Sequence, residues 1–355
     1  MDRSTTRLER SIILWQGVGA AVNWVFVGAS TIAGQYLVEA VRAQQDNDVR
    51  WVISGSAGRA AAFAATHGIA RFGTDLAEAL ADPAVGAVYI SSTNEKHHGQ
   101  AMAAIAAAKH VLCEKPLATA VADAQDMVRA AETAGVVFAT NHHLRSAGSL
   151  RAIRDLIAAG RVGKILSVRV FHAVELPVHL RGWRLDNPAA GGGVIADLTV
   201  HNADTVRFLL GEDPVSVVAH MDATGMGRGV EDSAMSVWAM PSGTMVFSHE
   251  SFTHPFAASG VEVHGTEGSI LARNVLSQDP VGEIDLITAQ GTARIEFDRC
   301  AIYQSVVRNF CAAVTGTQKP AASGRDGVKS LQIATAVRDA ARTGRRQAVN
   351  CGETA

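Results

Sequence analysis

The chain has 355 residues, with 32 Lys+Arg against 34 Asp+Glu. That near-neutral balance, with no basic run, argues against nucleic acid as a partner. Apolar residues make up 48%, enough for a large core, and the length fits two domains.

Cys113, Cys300, Cys311 and Cys351 have no metal-like spacing and read as reduced thiols of a cytoplasmic protein. Arg3, Arg7 and Arg10 precede an apolar stretch, 12–30, that mimics a signal peptide. Gln16, Asn23 and several glycines interrupt it, and its second half is needed for a strand. Residues 1–21 are therefore expected to be an upstream extension, with no membrane partner and the fold starting near Val22.

A buried strand over 24–27 leads into Gly28-Ala29-Ser30-Thr31-Ile32-Ala33 and a helix over 33–43. Strand, tight turn and helix make a dinucleotide-binding start, because the helix N-terminus and its dipole favour a pyrophosphate. Of the usual glycines only Gly28 survives; Ser30 and Ala33 take the other places. The second strand, 49–53, ends in Ser54-Gly55-Ser56-Ala57-Gly58-Arg59. NAD sites want an acid here for the ribose 2′-hydroxyl. None lies between 49 and 65, whereas Ser54 and Arg59 can hold a 2′-phosphate. The expected cofactor is NADP(H).

The alternation continues with strands over 69–72, 86–92, 111–113 and 136–139, separated by helices. This predicts a doubly wound sheet. The fifth strand ends in Glu114-Lys115-Pro116, placing a lysine on the rim where open α/β sheets bind ligands. Adjacent His97 and His98 face different ways on a helix and are not read as metal ligands.

After a helix over 149–159 the pattern turns to β. Runs at 165–174, 215–220, 234–240, 245–252, 261–264, 270–272, 283–288 and 293–297 predict an antiparallel sheet in an α+β second domain. A glycine triplet, Gly191-Gly192-Gly193, precedes a helix over 195–210. On it Asp197 and His201 stand four apart, on one face. A carboxylate beside an imidazole orients it and raises its pKa toward working pH, as a general acid–base needs. No third residue completes a metal site at useful spacing. Helices over 301–314 and 328–342 fit the second sheet poorly and are expected to pack back toward the first.

Together, Glu114-Lys115-Pro116, the six-strand first half, the 191–197 run with His201, and Gly324-Arg325-Asp326-Gly327 resemble the glucose–fructose oxidoreductase/inositol dehydrogenase (Gfo/Idh/MocA) family. The resemblance spans about 22–345. It implies an N-terminal Rossmann domain (22–141), an α+β domain with a large, mostly antiparallel open sheet (142–300), and closing helices (301–345). It implies NADPH-dependent reduction of a sugar ketone, with catalytic Lys115, Asp197 and His201. Lys115 would anchor the nicotinamide ribose and the reacting oxygen, with Glu114 alongside. His201 would exchange the proton, and Asp197 would position substrate and imidazole. Gly28, Ser30, Thr31 and Ile32 would line the pyrophosphate turn; Ser54 and Arg59 the 2′-phosphate; Ser92, Thr93, Asn94, His97 and Asn141 the nicotinamide half. Trp183, Arg184 and Tyr303 would close over the cofactor.

The implied partner is a small sugar, with a homo-oligomer through the second sheet. Two departures stand out. Thr93 replaces a common proline, and Glu175 stands where an aromatic residue is expected near the substrate. An inositol or aldose dehydrogenase, and a dinucleotide sensor without turnover, are the rival readings.

Overall fold

The computed structural model describes residues 22–223 and 225–352. The expected extension at 1–21 lies outside them. Six parallel strands form the first sheet: β1 (Asn23–Val27), β2 (Asp48–Ile53), β3 (Arg71–Gly73), β4 (Val85–Ile90), β5 (His110–Cys113) and β6 (Phe138–Thr140). Their order is β3-β2-β1-β4-β5-β6. The order reverses between β1 and β4, which opens a crevice at the carboxyl ends of those strands. The strands are apolar almost throughout, as a sheet covered on both faces requires. Trp24, Phe26 and Tyr89 are fully buried on one face, and Val25, Val88 and Ile90 on the other.

The second sheet has nine strands. They are β7 (Ile165–Ala173), β8 (Ser216–Asp222), β9 (Ser233–Ala239), β10 (Met245–Ser251), β11 (Gly260–Gly265), β12 (Gly268–Arg273), β13 (Glu283–Thr288), β14 (Gly291–Arg294) and β15 (Gln347–Ala348). The order is β14-β13-β12-β11-β7-β10-β9-β8-β15. The sheet is mostly antiparallel, as expected, with one parallel pair. β7 and β10, at the centre, run parallel, because helices and loops separate them in the chain and free them from hairpin geometry. One face of this sheet packs on the Val200–Leu210 helix through Val168, Val170, Trp238 and Val246. The other leaves Met235, Val237, Met245 and Phe247 exposed.

The closing helices differ from each other. Ile302–Val314 packs on the first sheet, with the Phe310 ring 5.0 Å from Trp24. Gly324–Thr343 does not pack back on the first half alone. Val328 and Leu331 join the first core, while Ile333, Val337 and Ala340 join the second. Its apolar residues span more than one face, so it bridges both lobes. A capping box starts it: Ser323 Oγ accepts from the Asp326 N–H, and the Asp326 carboxylate accepts from the Ser323 N–H.

Candidate active site

The dinucleotide turn needs its one glycine. Gly28 has φ +111°, and a Cβ there would lie 2.7 Å from the Ser91 carbonyl carbon. Ser30 does different work from the glycine it replaces. Its Oγ donates to Ser91 Oγ (2.8 Å) and accepts from the Ala33 N–H (3.2 Å), tying the turn to the end of β4. The expected helix begins as a π turn, Ala33–Leu37, before the α-helix Val38–Arg42. Thr31 and Ile32 sit on the outer side of this start, exposed and half-buried.

Beyond β2, Ser54 is buried and its N–H donates to the Gly73 carbonyl (3.1 Å). Ser56 caps the Ala57–His67 helix by accepting from the Arg59 N–H. Arg59 itself is exposed. Beyond β4, Ser92 Oγ donates to Gln100 Oε1 (2.6 Å) and Thr93 Oγ1 to Glu95 Oε1 (2.7 Å). Two neighbours have roles that spacing did not suggest. Asn94 is buried and its Nδ2 donates to the Gly191 carbonyl (3.3 Å), linking the two lobes. His97 is fully buried, with Nδ1 2.9 Å from Pro116 O and Nε2 3.1 Å from Ser92 O. Both ring nitrogens are occupied by backbone, so His97 supports the Lys115 turn from behind.

Lys115, Asp197 and His201 come from separate lobes and meet in one cleft. Lys115 Nζ donates to Asp197 Oδ1 (2.6 Å) and to the Asp197 carbonyl (3.0 Å). Arg184 Nε lies 3.3 Å from Asp197 Oδ2, and its guanidinium stands 4.7 Å from the Trp183 ring centroid. Burial would raise the Asp197 carboxyl, but Lys115 and Arg184 hold it far below the usual carboxylate range. Glu114 is the opposite case. Burial raises it, against Tyr89 OH (2.7 Å) and Asn141 Nδ2 (2.5 Å), which both donate to Oε1, and against Lys115.

The expected Asp197–His201 pair does not form. Ile195–Thr199 is a π turn, and the α-helix starts only at Val200. The wider turn rotates Asp197 off the face that four-residue α spacing would give it. Gly193, at φ +105°, makes room here for the Glu231 carboxylate, which accepts from the Ile195 N–H (3.2 Å).

His201 instead lies among rings. His143 is 5.2 Å away edge-on, His142 and His172 each 6.2 Å, and Tyr303 stacks on His143 at 5.2 Å. Burial lowers the His201 pKa well below its ordinary value, and Lys115 and the neighbouring histidines lower it further. The expected upward shift is thus reversed: burial dominates, and the carboxylate that would oppose it is held by Lys115. His142, His143 and His172 were not singled out for a role from sequence. Two adjacent histidines at a strand's carboxyl end were the available signal.

These rings carry a stability consequence. Burial pushes His142 down to about 4, and burial with Lys115 pushes His143 to about 3. Below the unfolded value of about 6.5 the unfolded chain binds protons that the folded rings refuse. Stability is therefore present above pH 6.5 and lost as pH falls toward 4. Each ring contributes a slope of about 1.4 kcal/mol per pH unit in that window. Urea midpoints between pH 7 and pH 4 check this; a flat midpoint would refute it.

The site fits a nicotinamide dinucleotide on its own evidence. Gly28 leaves space for close approach at the switch point. Asn141 Oδ1, His172 Nδ1 and His201 Nδ1 are buried without a hydrogen-bond partner near the Lys115–Asp197 pair. In a cleft at the switch point of a doubly wound sheet, polar atoms left this way are available to a ligand. Fold and site together define an NAD(P)-dependent oxidoreductase.

Comparison with known proteins agrees. Residues 22–142 match the model of the oxidoreductase family with an NAD-binding Rossmann fold, and 150–271 match the GFO/IDH/MocA C-terminal domain. The chain belongs to the Gfo/Idh/MocA family of oxidoreductases. It is 49% identical over 331 residues to 1,5-anhydro-D-fructose reductase of Ensifer adhaerens, covering 93% of this chain and 99% of the relative. It is 28% identical to myo-inositol 2-dehydrogenase of Thermotoga maritima, over 76% of this chain and 82% of the relative. Among solved structures, aldose-aldose oxidoreductase from Caulobacter crescentus superposes with TM-score 0.85 at 23% identity, covering 92% of this chain and 99% of that one. Levoglucosan dehydrogenase, in complex with NADH and levoglucosan, gives 0.84 at 21%, covering 93% and 100%. Among the described residues no helix is long and apolar enough to cross a membrane.

Proposed function

We propose that this enzyme reduces a sugar ketone with NADPH, converting 1,5-anhydro-D-fructose to 1,5-anhydro-D-mannitol. The observation that carries this reading is the 49% identity to 1,5-anhydro-D-fructose reductase over nearly the whole of both chains. The Lys115–Asp197–His201 cleft supports it. We assign cofactor binding to 22–141, the substrate-facing sheet to 142–300, and closure to 301–345, in a cytoplasmic protein that pairs through the exposed sheet face.

When bound, the reduced nicotinamide supplies a hydride to the carbonyl carbon. Lys115 holds the carbonyl oxygen and stabilises the negative charge that grows there. Asp197 fixes the ammonium by accepting from it. His201 delivers the proton to the oxygen. Glu114, bound by Tyr89 and Asn141, fixes the strand end that carries Lys115. Trp183, Arg184 and Tyr303 close the cleft.

NADPH consumption across a panel of ketoses, osones and inososes tests the reading. Turnover of 1,5-anhydro-D-fructose above the others is expected; activity confined to oxidation of inositol would overturn it. Glu175 bears on this choice less directly than its position suggests, since it is paired with Arg181 (3.2 Å) on the surface.

The coenzyme is tested separately. The β2 loop has no acid, and we assign Ser54 and Arg59 to a 2′-phosphate. NADPH should exceed NADH in kcat/KM, and Arg59→Ala should shrink the difference about 10-fold to 100-fold, the worth of one charge-assisted hydrogen bond. Equal kcat/KM for both coenzymes in the unaltered enzyme would defeat the assignment.

A further inference from the structure

Behind the His201 helix lies a polar cluster that the proposed reaction does not use. Glu250 sits at the centre of the second sheet, on β10, and is fully buried. Its Oε1 accepts from Asn202 Nδ2 (2.7 Å) and from Ser248 Oγ, and Asn202 Nδ2 also donates to Ser248 Oγ (3.1 Å). Asn202 follows His201 in the chain, and Thr199 ends the π turn that holds Asp197. Glu250 Oε2 and Asn202 Oδ1 have no hydrogen-bond partner, and the Thr199 hydroxyl stands near enough to the Glu250 carboxyl to stabilise its charge. A carboxylate oxygen and an amide oxygen with only the Thr199 hydroxyl to serve them are costly in an apolar interior. A carboxyl proton on Glu250 supplies a second donor.

The register ties this cluster to the cleft. Glu250 pairs with His172 on β7 and with Ala234 on β9. Paired residues share a sheet face, so Glu250 lies beside a ring that is 6.2 Å from His201. Of the titratable groups, His172 stands opposite it on β7; the shift of the Glu250 carboxyl comes from burial and from the Ser248, Asn202 and Thr199 side chains.

We propose that Glu250 is a positioning residue for the proposed reaction: through Asn202 and Thr199 it sets the junction of π turn and α-helix that aims Asp197 and His201. It acts as the neutral acid. Burial raises its carboxyl to about 7, against the donors Ser248, Asn202 and Thr199, so ionisation near neutral pH adds a buried charge behind the His201 helix and disturbs the junction.

The inference rests on the proposed function for its kinetic arm, so the test has two arms. Glu250→Gln keeps the shape and neutrality of the acid; Glu250→Ala removes the support. In the kinetic arm, Glu250→Ala should lower kcat about 10-fold to 100-fold with the KM for NADPH unchanged, the scale of a small misplacement of reacting groups. Glu250→Gln should stay near the unaltered enzyme. In the second arm, histidine-ring NMR of the whole protein should show a step near pH 7 in the His201 and His172 signals that Glu250→Gln lacks. Unchanged kcat in Glu250→Ala, or identical ring titrations with and without Glu250→Gln, would overturn the proposal. An unaltered enzyme that turns over no ketone would refute the proposed reaction alone, and the ring titration would still decide the role of Glu250.

Discussion

Replacing Lys115 by alanine is expected to lower kcat by about 10²–10³, the effect of removing one preorganised donor from an oxyanion site. The geometry enlarges the loss. Lys115 donates to both the side chain and the carbonyl of Asp197, and only 13% of its side chain is accessible. Without the ammonium, Asp197 keeps a buried charge opposed only by Arg184, whose Nε lies at 3.3 Å without hydrogen-bonding it. Its carboxyl should then rise toward the ordinary range, and the cleft should become less polar. In the proposed reading the pyrophosphate and the 2′-phosphate are held at the Gly28 turn and the β2 loop, and Lys115 adds only its contact to the nicotinamide ribose. NADPH fluorescence titration should therefore return a Kd within a few-fold of the unaltered enzyme while turnover collapses. A Lys115→Ala variant with near-normal kcat would remove the electrostatic role assigned to this side chain.

The first lobe was legible because its signals are local. Each of β1 to β6 is a short apolar run bounded by a turn, and Gly28, Asp75 and Gly135 mark their boundaries by backbone or capping chemistry alone. The second lobe was legible in its strands but not in its pairing. Nothing in 165–174 or 245–252 says that these two runs lie parallel at the sheet centre.

The site divided in the same way. Lys115 reached the cleft as expected because a strand end fixes it. Asp197 and His201 both reached it, but their mutual geometry depended on a π turn, and α-helical spacing carries no trace of that. His97 and Asn94 sat in the expected loop yet face protein, because their partners, Pro116 and Gly191, are distant in the chain. His143, His172 and Glu250 come from three separate strands or their ends. Only the packing of the Val200–Leu210 helix between the second sheet and the His143–Ser146 turn after β6 brings them together.

The pH dependence of the two directions should be asymmetric. Reduction consumes one proton, so the ratio of forward to reverse kcat/KM must change tenfold per pH unit. Where that change falls depends on the resting charge of His201. Burial, Lys115 and three neighbouring histidines hold its pKa well below 6.5, so the ring is neutral at pH 7. Reduction requires the protonated ring, and its kcat/KM should fall about tenfold per pH unit from neutral pH upward. Oxidation of the alcohol requires the neutral ring, already present, and should stay flat over the same range and fail only in acid. Lys115→Met, which keeps most of the length of the side chain but removes the charge, takes away the strongest of the charges that press it downward. The inflection in its residual activity should move upward. Rates measured in both directions between pH 6 and pH 9 decide the matter. A flat reduction rate with an oxidation rate that climbs with pH would mean that His201 rests as a cation, and that the Asp197–Lys115 pair shields it rather than Lys115 repelling it.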